Sequence, residues 1–329
     1  GFGLQLSLYK NNLFSSIIYP IICYVLSLQF FTVFNGLFFK ILNNSSDKIC
    51  FNLYRLLDSE YACVALLSSL YGVYGKISHY QLYLYSILFL LFYSLNANIL
   101  GLYKIVDNGY LLQIWLFASV YGYIFNYMIN KKHNLDKENN KLKFKEITSI
   151  TTYLNLIGTI IIYAYFPFVN NSNTCDERIQ ANNLINGYII STVHIIFIMF
   201  FKSDINLYLI QTSLFTSNIF IAASSSSSQQ PIGALVLGIV SAMVTYLYSV
   251  LSKYTKYDNG INLNIPIIIN AFFGSLLNLV IISLTSLDKL MYTIEHDNKT
   301  IYIRYYVSGI FTTISIAIIA AIISFKFVD

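Results

Sequence analysis

The sequence predicts an all-α protein that crosses a membrane many times. Of its 329 residues 56% are hydrophobic and only 11% are charged, whereas a soluble domain is about 25% charged. Long stretches carry no charge, and runs such as Ile160–Ile162 lack the alternation of a membrane β-barrel strand. These observations exclude a soluble enzyme, a disordered chain and a nucleic-acid-binding protein.

Windows without Asp, Glu, Lys or Arg mark the spans. A helix needs about 20 apolar residues to cross the hydrocarbon core, and most of these windows hold one helix each. The windows are 11–39, 61–75, 77–103, 108–130, 147–175, 179–201, 205–252, 259–287 and 305–325. The window 205–252 is long enough for two helices and is divided at Ser224–Pro231, whereas the window 61–75 is short and needs its flanks.

The chain begins in the middle of an apolar stretch, which we interpret as the truncated end of a further span at residues 1–9. Together with the ten spans this predicts a single transmembrane domain over residues 1–329, with about eleven helices. We expect an upstream segment to precede it.

The distribution of Lys and Arg predicts the orientation. The loop Lys131–Glu146 holds six lysines, and cytoplasmic loops carry the basic excess. With this loop 131–146 in the cytoplasm, alternation places twelve Lys and Arg inside and eight outside. Glycosylation sequons at Asn43, Asn44, Asn170 and Asn298 then fall outside, where such sites are used. An asparagine-rich chain also produces sequons by chance.

The cysteines and the missing motifs argue against chemistry on this chain. Cys23 and Cys63 lie within spans and suit apolar packing, while Cys50 and Cys175 lie in outer loops where a disulfide is permitted but not required. The sequence has no nucleotide-binding, zinc-protease or serine-elbow motif, and its loops are short. We therefore predict that the protein is not an enzyme and holds no cofactor or metal.

A series of short motifs resembles, in order and spacing, the Rh branch of the ammonium transporter family. The motifs are Gly1–Leu4, Leu13–Ser16, Gly72, Gly75–Lys76, Gln81, Asp107–Gly109, Ile157–Thr159, Pro167, Asn170, Asn183, Ser191–Thr192, Ile210–Gln211, Ser224–Ser225, Pro231–Leu235, Gly238 and Asn262–Leu263. The resemblance implies eleven or twelve helices in a five-plus-five inverted repeat. It also implies a trimer with one narrow pore in each subunit.

The resemblance also implies a departure at the pore centre. The family carries two facing histidines there, but this chain has Trp115 at the first position and Leu263 or Asn264 at the second, depending on a gap of one residue. Neither Trp nor Asn exchanges a proton near neutral pH as His does. The deeply placed His194 is either a buried neutral side chain bonded to a neighbouring helix or a relocated proton site.

Other positions take their expected roles from the same resemblance. Asp107 corresponds to a carboxylate that orders the backbone near an outer recruitment site, and it also suits the N-terminus of a helix. Asn262 belongs to the motif before the tenth helix. Tyr61, with Phe168 or Val169, corresponds to an outer aromatic gate, although ordinary packing would explain these residues in a chain with 29 Tyr and 25 Phe.

The resemblance and the missing histidines together predict a passive, electroneutral channel for a small neutral solute: ammonia, methylamine or carbon dioxide. The alternative is a non-conducting, Rh-like structural or scaffold subunit with a blocked pore. We expect a homotrimer in the plasma membrane, with lipid and a small solute as partners and no nucleic acid.

Overall fold

The computed structural model describes residues 2–6, 13–44, 49, 51–105, 107, 109–133, 149–169, 177–201, 207–224, 231–254, 263–284 and 299–329. This part of the chain is helical apart from turns and short connections. Eleven helices follow one another here: α1 Phe2–Leu6, α2 Leu13–Asn43, α3 Leu53–Gly72, α4 His79–Leu102, α5 Leu111–His133, α6 Ser149–Val169, α7 Glu177–Phe201, α8 Leu207–Ser224, α9 Pro231–Tyr254, α10 Asn264–Leu284 and α11 Lys299–Val328.

The helices agree with the predicted spans. Within the described ranges, seven stretches are long and apolar enough to cross a membrane: Ser16–Asn43, His79–Leu102, Leu111–Lys132, Gln180–Phe201, Pro231–Val250, Asn264–Leu284 and Lys299–Val328. Two shorter apolar helical stretches are Tyr153–Tyr165 and Thr212–Ala223. The predicted division of the longest uncharged window is confirmed, since α8 ends at Ser224 and α9 begins at Pro231. Proline suits the first turn of a helix because the N–H that it lacks would have no partner within the helix at that position.

Two of the helices contain a π-helical segment. In α2 this segment is Ser27–Phe31, and in α5 it is the first seven residues, Leu111–Phe117. Hydroxyl groups supply additional hydrogen bonds in α2, because Ser27 donates to the Tyr24 carbonyl and Thr32 donates to the Leu28 carbonyl. Such segments are rare and often lie at functional sites.

Local signals in the sequence explain where helices begin. Asn52 caps α3 by accepting a hydrogen bond from the Arg55 N–H. Ser78 and Gln81 form a reciprocal capping box at the start of α4. The turn between these helices includes Gly75 at a φ of 86°, a left-handed conformation that glycine adopts without strain.

Helix α8 lies at the centre of the bundle. Every residue from Thr212 to Ala223 is buried, so this part of the helix has no face toward lipid. It packs against α6, α7, α9 and α10. The outer helices expose large apolar side chains instead, among them Ile21 on α2 and Phe200 on α7. This is the arrangement expected of a bundle surrounded by hydrocarbon.

Candidate functional site

Asp107 organises the start of α5. Its carboxylate accepts hydrogen bonds from the backbone N–H of Leu112, at 3.0 Å to Oδ2, and from that of Gln113, at 3.0 Å. Burial raises the pKa of this carboxyl, which lies between two spans, to about 6, although the backbone N–H groups oppose the shift. Two residues in left-handed conformation, Gly109 and Tyr110, lie between the carboxylate and the helix. The carboxylate thus holds the turn that orients Tyr110.

An aromatic pair lies next to this turn. Tyr61 on α3 packs against Tyr110 with their ring centroids 4.2 Å apart. The side chains of Phe168 and Val169 lie outside the described residues, so the predicted gate is described only on its Tyr61 side. Sequence reasoning missed Tyr110, and the one signal that points to it is its position directly after Gly109 at a helix start.

Trp115 lies in an aromatic cluster that joins four helices. The indole is 1% exposed and packs edge-to-face against Phe215 of α8, with centroids 6.1 Å apart. Phe215 also contacts Tyr71 at 5.4 Å and Phe2 at 6.4 Å. We call Phe2, Tyr71, Trp115 and Phe215 the aromatic cluster. No single sequence motif indicates it, because its members lie far apart along the chain.

Hydrogen bonds fix one side of this cluster. The Tyr71 hydroxyl donates to Gln5 Oε1 at 2.5 Å, and Gln5 Nε2 donates to Thr159 Oγ1 at 3.0 Å. The Asn155 side chain donates in turn to the Gln5 carbonyl at 3.3 Å. All of these polar groups are buried. They attach the short helix α1 to α3 and α6, which holds Tyr71 in place.

Leu263 and Asn264 are fully buried at the start of α10. A Cβ added to Gly122 of α5 would lie 3.0 Å from Asn264 Nδ2, and one added to Gly274 would lie 3.7 Å from a methyl group of Leu111. Helices α5 and α10 are therefore antiparallel, and Asn264 lies near Gly122, two turns beyond Trp115. The neighbouring position Asn262 lies outside the described residues.

His194 connects three helices within the bundle. Its Nδ1 lies 2.6 Å from the Ser241 hydroxyl on α9, and its Nε2 lies 3.2 Å from the Thr216 hydroxyl on α8. The ring is fully buried and carries a hydrogen-bond partner on both nitrogens. This geometry is that of a buried side chain bonded to neighbouring helices, the first of the two predicted alternatives.

The remaining predicted positions are peripheral or lie outside the described residues. Asn43 and Asn44 are exposed at the end of α2, and Asn44 adopts a left-handed conformation. Asn298 and most of the loop 131–146 are not described, and neither are Cys50 and Cys175. Cys23 and Cys63 are buried free thiols. Within the described ranges no group of three or more His, Cys, Asp or Glu side chains could hold a metal ion.

Comparison with known proteins identifies similar chains. Residues 1–329 match the family model described as the Ammonium Transporter Family. The chain is 22% identical over 294 residues to ammonium transporter Rh type C of Xenopus laevis, covering 84% of this chain and 60% of that protein. It is 21% identical over 295 residues to Rh type B-B of the same species, covering 85% of this chain and 63% of that protein. The chain therefore spans about 60% of the length of these relatives.

Solved structures share the fold. A structure of Nitrosomonas europaea Rh50, described with the mechanism of conduction by the Rhesus protein family of channels, superposes with a TM-score of 0.72. It is 13% identical, and the match covers 100% of this chain and 83% of that one. The structure of Saccharomyces cerevisiae Mep2 gives a TM-score of 0.74 at 14% identity, covering 98% of this chain and 80% of that one. At this level of identity the likeness concerns the fold.

Proposed function

The chain belongs to the ammonium transporter family, and from that premise we propose that it lets a small neutral solute, ammonia, methylamine or carbon dioxide, cross the membrane passively. Membership confirms the resemblance predicted from the sequence, and the structural matches confirm the all-α, polytopic fold. Family membership also confirms the prediction that the protein is not an enzyme, since this is a family of transport proteins.

One observation carries the proposal: the central positions hold no titratable group. Trp115 is 1% exposed, and Leu263 and Asn264 are fully buried. A cation at such depth loses its hydration at a cost of several kcal/mol, and nothing at these three positions would accept its proton. A neutral molecule loses much less, so the proposed transport is electroneutral.

A second candidate function is a closed, non-conducting subunit that serves assembly or acts as a scaffold. The aromatic cluster favours it, because Tyr71, Trp115 and Phe215 are each about 1% exposed and pack from different helices. An indole occupies more space than the imidazole expected there from the family. The two candidates differ in whether this cluster opens.

Flux into liposomes that contain the purified protein separates the two candidates. Entry of ammonia and of carbon dioxide is followed by a pH-sensitive dye in stopped flow, against empty liposomes. Flux above that of empty liposomes supports the channel. Rates equal to those of empty liposomes, for ammonia and for carbon dioxide alike, support the closed subunit. An electrical current driven by ammonium would contradict both.

The setting of this protein is also part of the proposal. We infer a homotrimer in the plasma membrane, each subunit with its own conduit, with the loop 131–146 in the cytoplasm. Family membership and the lysine pattern support this arrangement. Native mass measurement in mild detergent tests it: three copies are expected, and a monomer or dimer would contradict the assembly.

A further inference from the structure

A cavity of about 180 Å³ lies between α2, α3, α4 and α5, apart from the aromatic cluster. We call it the side cavity; its lining includes Phe31, Asn35, Asp58, Tyr93, Tyr110 and Gln113. Asn35, Asp58 and Gln113 are half-buried, whereas Phe31 and Tyr93 are buried. The cavity therefore has an aromatic floor and a polar entrance.

The carboxylate of Asp58 gives this cavity its charge. The ion pair found among the described residues, with nitrogen and oxygen within 4 Å, joins Lys132 to Asp329 and does not include Asp58. Arg55, one turn earlier on α3, interacts electrostatically with Asp58 but does not form an ion pair with it. The hydrogen bond that Asp58 accepts from the Tyr110 hydroxyl is long, at 3.4 Å. The carboxylate retains the capacity to bind a cation.

Aromatic rings supply the second element of recognition. The rings of Phe31 and Tyr93 pack with centroids 5.8 Å apart, and the Tyr110 ring borders the same space. Aromatic faces attract cations, and alkylated ammonium ions are the ligands best suited to several rings around one carboxylate. A metal ion prefers several charged oxygen ligands, whereas Asp58 is the one carboxylate among these lining residues and the Asn35 amide oxygen already accepts a hydrogen bond from Asn98.

The volume decides the size of the ligand. A water molecule occupies about 30 Å³ in the liquid, so the cavity has room for about six heavy atoms, more than ammonium needs. We propose that the side cavity binds a small alkylammonium cation, with its charge on Asp58 and its alkyl groups against Phe31, Tyr93 and Tyr110. This binding does not depend on whether the conduit conducts.

Occupancy of the side cavity would also affect the outer aromatic pair. Tyr110 bonds to Asp58 through its hydroxyl and packs against Tyr61 through its ring. A cation bound between Asp58 and the Tyr110 ring restrains Tyr110, and thereby holds Tyr61 in its present position. The site is thus a candidate for regulation by an amine that does not itself cross.

Equilibrium dialysis of radiolabelled tetramethylammonium against the purified full chain in detergent tests the binding. We expect saturable binding that weakens tenfold or more in Asp58→Asn, which removes the charge at constant shape. The matched control is Glu60→Gln, two residues along α3, whose carboxylate instead bonds the exposed Tyr24 hydroxyl. Its affinity should equal that of the unmodified protein.

A second variant guards against a folding defect in Asp58→Asn. Ala97 on α4 also lines the side cavity. Ala97→Leu fills the cavity without changing any charge, and it should abolish binding. Neutral tert-butanol, which has nearly the shape of tetramethylammonium, should fail to compete. The proposal would be overturned if the unmodified protein shows no saturable binding, or if Asp58→Asn and Ala97→Leu bind tetramethylammonium as tightly as the unmodified protein does. Effective competition by tert-butanol would overturn it as well.

Discussion

Replacement of Trp115 by alanine is the most direct test of the aromatic cluster. The indole is 1% exposed and packs edge-to-face on Phe215. An aromatic pair contributes about 1 kcal/mol beyond burial, and burial of a large side chain contributes about 2 kcal/mol. If the cluster must open for a solute to pass, loss of the indole removes about 3 kcal/mol that holds it closed. The open population should then rise on the order of 100-fold, since about 1.4 kcal/mol corresponds to tenfold.

The assay is stopped-flow entry of ammonia and carbon dioxide into liposomes containing equal amounts of folded protein. We expect Trp115→Ala to increase the flux tenfold or more. Phe117→Ala is the matched control, because Phe117 is fully buried on the same helix but packs against Phe89, Tyr93 and Tyr121 instead. Both variants lose roughly 3–5 kcal/mol of stability. Equal flux in the two variants would refute the reasoning and place the block at the outer pair containing Tyr61.

Three further predictions concern the proton, the turn and the orientation. The unmodified protein should carry no ammonium current, and ammonium-linked flux should require Trp115→His together with Asn264→His; a saturable, voltage-dependent current from the unmodified protein would contradict this. Burial raises the pKa of Asp107 to about 6, so the folded protein binds this proton more tightly than the unfolded chain does. The resulting stabilisation of the folded state is complete below about pH 4, near the ordinary pKa of the carboxyl, and is lost as the pH rises through 6. Relative to Asp107→Asn, the melting temperature in detergent should therefore fall between pH 4 and pH 7, by the equivalent of roughly 3 kcal/mol; parallel profiles would argue against it. An epitope at Asn140 should resist protease added outside intact cells. Cleavage there would contradict the predicted cytoplasmic position of the loop 131–146.

Hydrophobicity was sufficient to predict most of the fold. A span must satisfy its own backbone and face lipid, so its length and lack of charge are written in consecutive residues. This is why the division before Pro231 follows from the sequence. Asp107 was also predictable, because a carboxylate before Gly109 at the start of an uncharged window suits a helix N-terminus.

The convergence of side chains was not predictable in the same way. Phe2, Tyr71 and Phe215 are three among 54 Tyr and Phe residues, and they meet only because α1, α3 and α8 pack together. The partner of Tyr61 was likewise set by the left-handed backbone of Tyr110, which no apolar pattern records. Contacts of this kind depend on tertiary structure rather than on local propensity.

The π-helical start of α5 bears on how this chain changes in evolution. A π-turn closes its hydrogen bond one residue later than an α-turn, so Leu111–Phe117 contains the equivalent of an inserted residue. Loss of a single residue in this segment would convert the π-turn to an α-turn and leave the rest of α5 in register. Side chains beyond Phe117 would keep their faces, whereas those within the segment, Trp115 among them, would shift by about one position. A single-residue deletion here would thus change the side chain that faces Phe215 while the remainder of α5 keeps its contacts.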